Sequence, residues 1–261
     1  DLDKSEVISA DDLARQSKAH TSLVNLRGPV KDKLTEQPET AVPATADVLD
    51  RARKASTEIQ NELKTGSYVD LAKEIVRDTQ SAINRQADLE RIRGQLVGKP
   101  AKNLYLKTLK TTRGDTVSLA DFKGKPVVLH FWDYRSEPKI APYGETGFLD
   151  FLRRQREKQG VRVLGIAVDN RLRDETTRAA ARKDIRSFCD FMNLSYPVAF
   201  DDGEEKVIDL FGDPRSVGGK LPLYVVIAPD GTVAEYHPGL WSATADEGLK
   251  ELDQRLQKLA R

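Results

Sequence analysis

Few residues in this 261-residue chain have the chemistry of a nucleophile or a soft metal ligand: Cys189, and the histidines His20, His130 and His237. One cysteine excludes an intramolecular disulfide and any thiolate metal cluster. Cys189 follows Ala181, Ile185 and Phe188 and precedes Met192 at offsets i, i+4, i+7, i+8 and i+11, which is the buried stripe of a helix. A thiol in apolar surroundings is hard to ionise and reacts poorly. Ser136 as a hydrolase nucleophile would need an imidazole and a carboxylate beside it. His130 and His237 instead fall on predicted strands, outside any nucleophile-elbow context. Three scattered histidines match no metal-ligand spacing, so the residues imply neither a metal nor a cofactor. Arg113-Gly114-Asp115 reads as a hairpin turn rather than an adhesive tripeptide. Gly218-Gly219-Lys220 lacks the rest of a phosphate loop and reads as a flexible approach to Pro222.

The elements around these residues fall into two regions. Charged residues make up 32% of the chain but balance to +1, which gives no global field for nucleic acid or an anionic membrane. No apolar run reaches the roughly 20 residues of a transmembrane span. Residues 1–95 are almost free of aromatics and read as helical. A capped start runs from Ser9 to Asp12, Gly28-Pro29 breaks the helix, and a loop follows from Thr35 to Ala44. Val48, Leu49, Ala52, Ile59 and Leu63, then Leu71, Ile75, Ala82, Ile83, Leu89 and Ile92, repeat at helical spacing. With Gly66-Ser67 between them they predict an antiparallel hairpin. Its apolar stripe must be buried in a small bundle, on the C-terminal domain, or in a homo-oligomer or partner interface.

From residue 96 the pattern changes. A β-hairpin about Thr112–Asp115 precedes a uniformly apolar strand, Val127 to Trp132, of the kind covered on both faces. A helix around Phe148–Leu152 and a strand from Val161 to Val168 complete a βαβ unit. Next come a helix over Thr176–Asn193, a short strand over Tyr196–Phe200 and a short helix over Glu204–Phe211. A hairpin about Pro229-Asp230-Gly231 and a last amphipathic helix carrying Ala245, Leu249, Leu252, Leu256 and Leu259 end the chain. This is an α/β order, βαβ then ββα, with helices flanking a mixed sheet.

Residues 97–260 resemble the redoxin group: thioredoxin-like thiol-disulfide oxidoreductases and the alkyl hydroperoxide reductase/thiol-specific antioxidant proteins. The likeness rests on Gly98-Lys99-Pro100-Ala101, on Val117 to Pro126, on Phe131-Trp132, and on Leu221-Pro222 ahead of Leu223 to Ile227. The segment from Asn193 through Pro197 to Gly203 is the more peroxiredoxin-like part. The resemblance implies a thioredoxin-like fold with a cis peptide bond before Pro222. It also implies a redox motif after Phe131-Trp132, at the start of a helix. Ser136 and Lys139 stand where that motif has its two cysteines, and Cys189 is about 50 residues from the peroxidatic position. Dithiol exchange needs one thiolate to attack and a second to resolve the mixed disulfide, and a hydroxyl and an ammonium do neither.

The resulting expectation is a non-catalytic binding or assembly protein. Tyr134, Arg135, Ser136, Lys139, Leu221 and Pro222 would form its face for a protein or peptide client, with Leu221 offering its backbone to an extended chain. Two alternatives stay open. One is a thiol-dependent oxidoreductase or peroxidase using Cys189 or a partner's cysteine; the other is a rigid spacer whose helical hairpin does the recognition. Because many relatives of this fold work outside the cytoplasm, the expected location is exported, periplasmic or extracytoplasmic.

Overall fold

The computed structural model describes residues 14–15, 17–19, 21, 46–63, 67–101, 107–135, 144–241, 243 and 246–260. The Ser9–Asp12 helix start, the Thr35–Ala44 loop, Gly66, Ser136, Lys139 and Ala245 lie outside them. The chain divides into two compact units, residues 1–87 and 88–261.

In the first unit, helix α1 (Ala46–Glu62) presents the stripe that the periodicity predicts, and the opening turns of α2 (Ser67–Leu96) do so in part. Ile59, Val69 and Ala72 are buried together with Ala19, which lies in a short helical stretch ahead of α1, and Leu63, Tyr68 and Ile75 pack around them. This part of the stripe is covered within the unit, whereas Leu71, which the spacing puts on the stripe, is exposed because Val69 and Ala72 take the inward positions. A side chain such as Ile59, almost wholly removed from water, contributes roughly 1.5–3 kcal/mol.

The second unit is built on a five-stranded sheet in the order β5-β4-β3-β6-β7: β3 (Val127–Trp132), β4 (Arg162–Ala167), β5 (Val198–Phe200), β6 (Leu223–Ile227) and β7 (Val233–Pro238). β3, β4 and β5 are parallel, while β6 and β7 are antiparallel to their neighbours. α3 (Gly144–Arg156), α4 (Arg178–Phe191) and α5 (Lys250–Leu259) pack on one face, through Leu149, Ile185 and Leu252 among others. Ile92 and Leu96 from the end of α2, the hairpin β1 (Thr108–Lys110)/β2 (Thr116–Ser118), Phe122 and Phe211 cover the other. With both faces covered, all six residues of β3 are buried, as its unbroken apolar run requires.

Both sheet edges are occupied. At β5, Thr112 N–H donates to Val198 O at 2.8 Å; beside β7, Gly98 N–H donates to Val233 O at 2.8 Å and Val233 N–H to Lys99 O at 2.9 Å. Covering edges in this way removes unpaired backbone groups that would template aggregation. Among the described residues no helix is long and apolar enough to cross a membrane.

Three elements are shorter than their sequence pattern. The helix expected over Glu204–Phe211 is a 3-10 turn, Ile208–Phe211, because the buried Asp201 carboxylate accepts from Val207 N (2.8 Å) and Ile208 N (3.2 Å). Asn193, at φ 48°, closes the segment after α4, so that helix stops short of it. Pro197 lacks the N–H that a longer β5 would use. Gly212 closes the 3-10 turn at φ 71°, and a Cβ there would lie 2.8 Å from Ile92 Cγ2, so only glycine lets the end of α2 approach this closely.

Glu235 on β7 is the electrostatic link of this unit. Its buried carboxylate pairs with Arg93 of α2 (3.1 Å) and with Arg255 of α5, both about half exposed. Removing one member of a fully buried pair costs about 3–5 kcal/mol. With half-exposed arginines, Glu235→Gln should lower the stability of the chain by about 2 kcal/mol. Urea denaturation of the two proteins measures this.

Candidate functional site

The site lies at the end of the sheet where β3 and β4 finish and β6 begins. After Trp132 the chain turns at once: Asp133 Oδ1 accepts from Arg135 N at 2.8 Å, an Asx turn that sets Tyr134 and Arg135 beyond the strand. Tyr134 is half-buried, its ring edge-on to Phe188 of α4 (5.9 Å) and 6.0 Å from the Arg171 guanidinium carbon. Phe188 also touches Trp132, at 5.4 Å. Arg135 is exposed.

β4 runs beside β3, Val168 N–H donating to Trp132 O at 2.9 Å, and delivers Asp169 next to this turn. Asp169 is 2% exposed. It accepts from Arg171 Nε (3.0 Å) and Nη2 (2.6 Å), and Arg171 Nη1 goes on to Asp184 at 2.7 Å. Burial alone would raise the Asp169 carboxyl. The hydrogen bonds from Arg171 and the charge of Arg135 outweigh it and hold the group below the usual carboxylate range. The arginine fork is therefore fixed behind the Tyr134 ring.

β6 supplies the third wall. Phe131 pairs with Leu223 in the antiparallel register, so Trp132 and Pro222 are the next positions along it. The Leu221–Pro222 bond is cis, as the resemblance implies. Pro222 is buried, with its carbonyl accepting from Gly239 N at 2.7 Å. Among the described residues the backbone N–H and C=O of Leu221 have no hydrogen-bond partner. The approach to this proline is tightly packed, against the expectation of a flexible one. Gly218 caps a 3-10 turn (Pro214–Val217), and a Cβ on Gly219 would stand 2.9 Å from Pro214 O. Asp213 holds the Arg215 guanidinium, accepting from Nε at 2.9 Å and from Nη2 at 2.6 Å. These bonds raise the guanidinium, and the charge of Asp133 adds to the effect.

The structure therefore brings Tyr134, Arg135, Leu221 and Pro222 to one end of the sheet. Ser136 and Lys139 lie outside the described residues. Cys189 is adjacent in sequence to Phe188, yet its thiol packs in the core with Ala181 and Ile185. Burial first, and the neighbouring Asp190 charge second, push it up to about 12. At neutral pH about one thiol in 10⁵ is then thiolate.

Beneath the site is a polar cluster that the sequence reading did not single out. Glu145, in the first turn of α3, is buried and accepts from Tyr224 Oη at 2.6 Å and from the Trp241 backbone N–H. Tyr224 stacks on the fully buried His130 (4.6 Å), and His237 stacks on Trp241 (3.7 Å). The signal was available: Glu145, Leu149 and Leu152 stand at i, i+4 and i+7, which puts the carboxylate on the core stripe. Burial pushes His130 down to about 3 and His237 down to about 4, with the Arg93 charge lowering His237 further.

This fold and site define a redoxin: residues 97–236, more than half of the chain, match the AhpC/TSA family model, and the chain belongs to that family. It is similar to the thiol-disulfide oxidoreductase ResA of Bacillus thuringiensis (strain Al Hakam), 33% identical over 57% of this chain and 72% of the relative. It is also similar to the chloroplastic peroxiredoxin Q of Triticum aestivum, 35% identical over 44% of this chain and 46% of the relative. Among solved structures, a DsbF homologue from Corynebacterium diphtheriae superposes with a TM-score of 0.44 at 22% identity, over 59% of this chain and 83% of the other.

Proposed function

We propose that this redoxin binds rather than reduces: it holds an extended protein or peptide segment along the end of the sheet and transfers no electrons to it. The observation that carries the reading is the sulfur inventory. The chain's one cysteine is buried, with its thiol raised to about 12, and by the family resemblance Ser136 and Lys139 stand at the positions of the exchanging pair. What supports retained binding is the geometry around the missing pair. The Leu221 backbone is open to strand-like pairing ahead of the buried Pro222. Tyr134 is braced by Phe188 and Arg171, and Arg135 is exposed. A main-chain grip of this kind adds a strand to an exposed backbone and takes its affinity from N–H and C=O groups. Ser136 and Lys139 would flank the bound segment. The same reading places the protein outside the cytoplasm, where many redoxins act.

A cysteine-free extended probe tests this. Titrating the full chain with S-carboxymethylated insulin B chain, followed by amide NMR shifts, should give saturable changes at Tyr134, Arg135 and Leu221. Tyr134→Ala should weaken binding about tenfold, as removal of an aromatic anchor does. Absence of saturation, or shifts confined to other surfaces, would refute the binding face.

A further inference from the structure

The first unit carries a second surface with its own chemistry. An antiparallel helix pair leaves a groove on either side of its contact seam. On one side α1 and α2 bury Ile59, Val69 and Ala72 with Ala19. The other side is a cleft of about 490 Å³ lined by Arg53, Ser56, Thr57 and Gln60 of α1 and by Lys73, Val76 and Arg77 of α2. These residues recur at i, i+3, i+4 and i+7, so the helical period gathers them into one strip.

The lining decides what the cleft accepts. A groove that seats a further helix is apolar at these spacings, whereas here Val76 is the one apolar residue among three cations and three hydrogen-bonding side chains. Laying an uncharged helix on these guanidinium and ammonium groups would cost several kcal/mol of desolvation. Among the described residues no carboxylate lines the cleft. Acids outside the lining pair with the arginines: Asp50 lies 3.9 Å from Arg53, and Glu74 and Asp78 each accept a hydrogen bond from Arg77 at 3.4 Å, with every one of these side chains half exposed or more. Such pairs are worth little and yield to a better anion. Arg53 is also oriented in advance. Its Nη2 donates to Gln80 Oε1 at 2.9 Å, and Gln80 in turn donates to Asn84 at 2.9 Å. A planar guanidinium fork held in place is a donor set that recognises phosphoryl oxygens, and Lys73 adds a further cation to the same lining.

We infer that this cleft, through Arg53, Lys73 and Arg77, is a binding site for a small, multiply charged phosphate-type oxyanion. The volume fits such a ligand, since small-molecule sites run from roughly 300 to 1,000 Å³. The cleft's residues all lie in the first unit and those of the redoxin face in the second.

Calorimetric titration of the full chain with inorganic pyrophosphate tests the inference. One saturable site is expected, weakening as salt is raised because the charges are exposed. The double variant Arg53→Gln/Lys73→Gln should lose affinity about tenfold or more, the cost of removing charge-assisted hydrogen bonds. Glutamine is a good helix former, so the hairpin is kept, and far-UV circular dichroism checks this. Lys110→Gln, on the second unit, should bind like the parent. Titrations without saturation, or affinity that the double variant leaves unchanged, would overturn the assignment. The carboxymethylated peptide titration reads the other face separately, so failure of one leaves the other standing or falling on its own data.

Discussion

Ser136→Cys combined with Lys139→Cys is expected to convert this chain into a thiol-disulfide reductant. The resemblance puts both positions where the redox pair stands. Among the described residues, that site's neighbours include the buried strand ending in Phe131-Trp132 and the Asx turn at Asp133. In a Cys-x-x-Cys setting a thiol at pKa near 7 is about half ionised at neutral pH, against about 3% for a free cysteine at 8.5. The double variant should therefore reduce insulin disulfides about tenfold faster than an ordinary dithiol at equal concentration. Ser136→Cys alone should form mixed disulfides without turning over, because no second thiolate resolves them. If the double variant folds, carries two titratable new thiols and is as inert as its parent, the site is not a dormant redoxin site.

The second large effect is on stability in acid. A histidine in an unfolded chain titrates near 6.5, while His130 and His237 in the fold are held down to about 3 and about 4. Above pH 6.5 both states carry neutral rings and stability does not change on their account. As pH falls below 6.5 the unfolded chain takes up protons that the folded chain refuses, so stability drops. Each ring contributes up to about 1.4 kcal/mol per pH unit until its folded value is reached. Between pH 6.5 and 4 the two together remove up to about 2.7 kcal/mol per unit, a large part of the 5–15 kcal/mol that holds a typical domain. Asp169, whose carboxyl is lowered, adds loss in the more acid part of this range, and Asp201, raised by burial, opposes it. Urea midpoints measured from pH 7.5 to 4.5 should fall steadily below pH 6.5, and His130→Leu should flatten roughly half of that slope. A flat profile in the parent would mean that the rings are not buried as described.

The order of elements in the second unit was legible because its cues are local. An unbroken apolar run marks a strand covered on both faces, Asp230-Gly231 marks a hairpin, and Leu252 and Leu256 mark a helix stripe. The core position of Cys189 followed from helical spacing, while the cis Leu221–Pro222 bond was expected only from the family resemblance. What was not legible depends on partners distant in sequence. Asp201 cuts the helix before Phe211 because its carboxylate is folded back onto Val207 and Ile208. Glu235 reads as one more exposed charge on an edge strand until Arg93 and Arg255 arrive from two other helices. The Asp169–Arg171–Asp184 fork behind Tyr134 joins a loop to a helix and has no periodic signature. Glu145 is the intermediate case: its helical spacing shows a buried carboxylate, but not the Tyr224 hydroxyl that satisfies it. Arg53, Lys73 and Arg77 each read as the solvated face of a helix, and only the pairing of α1 with α2 puts them into one cleft.

The most direct measurement is turnover by the unaltered chain. The purified protein, supplied with dithiothreitol, is assayed for insulin disulfide reduction and for peroxide consumption beside a Cys189→Ser variant. Both proteins should run at the rate of buffer and reductant alone. A rate above that level which Cys189→Ser abolishes would contradict the proposal that this face holds its client without exchanging electrons.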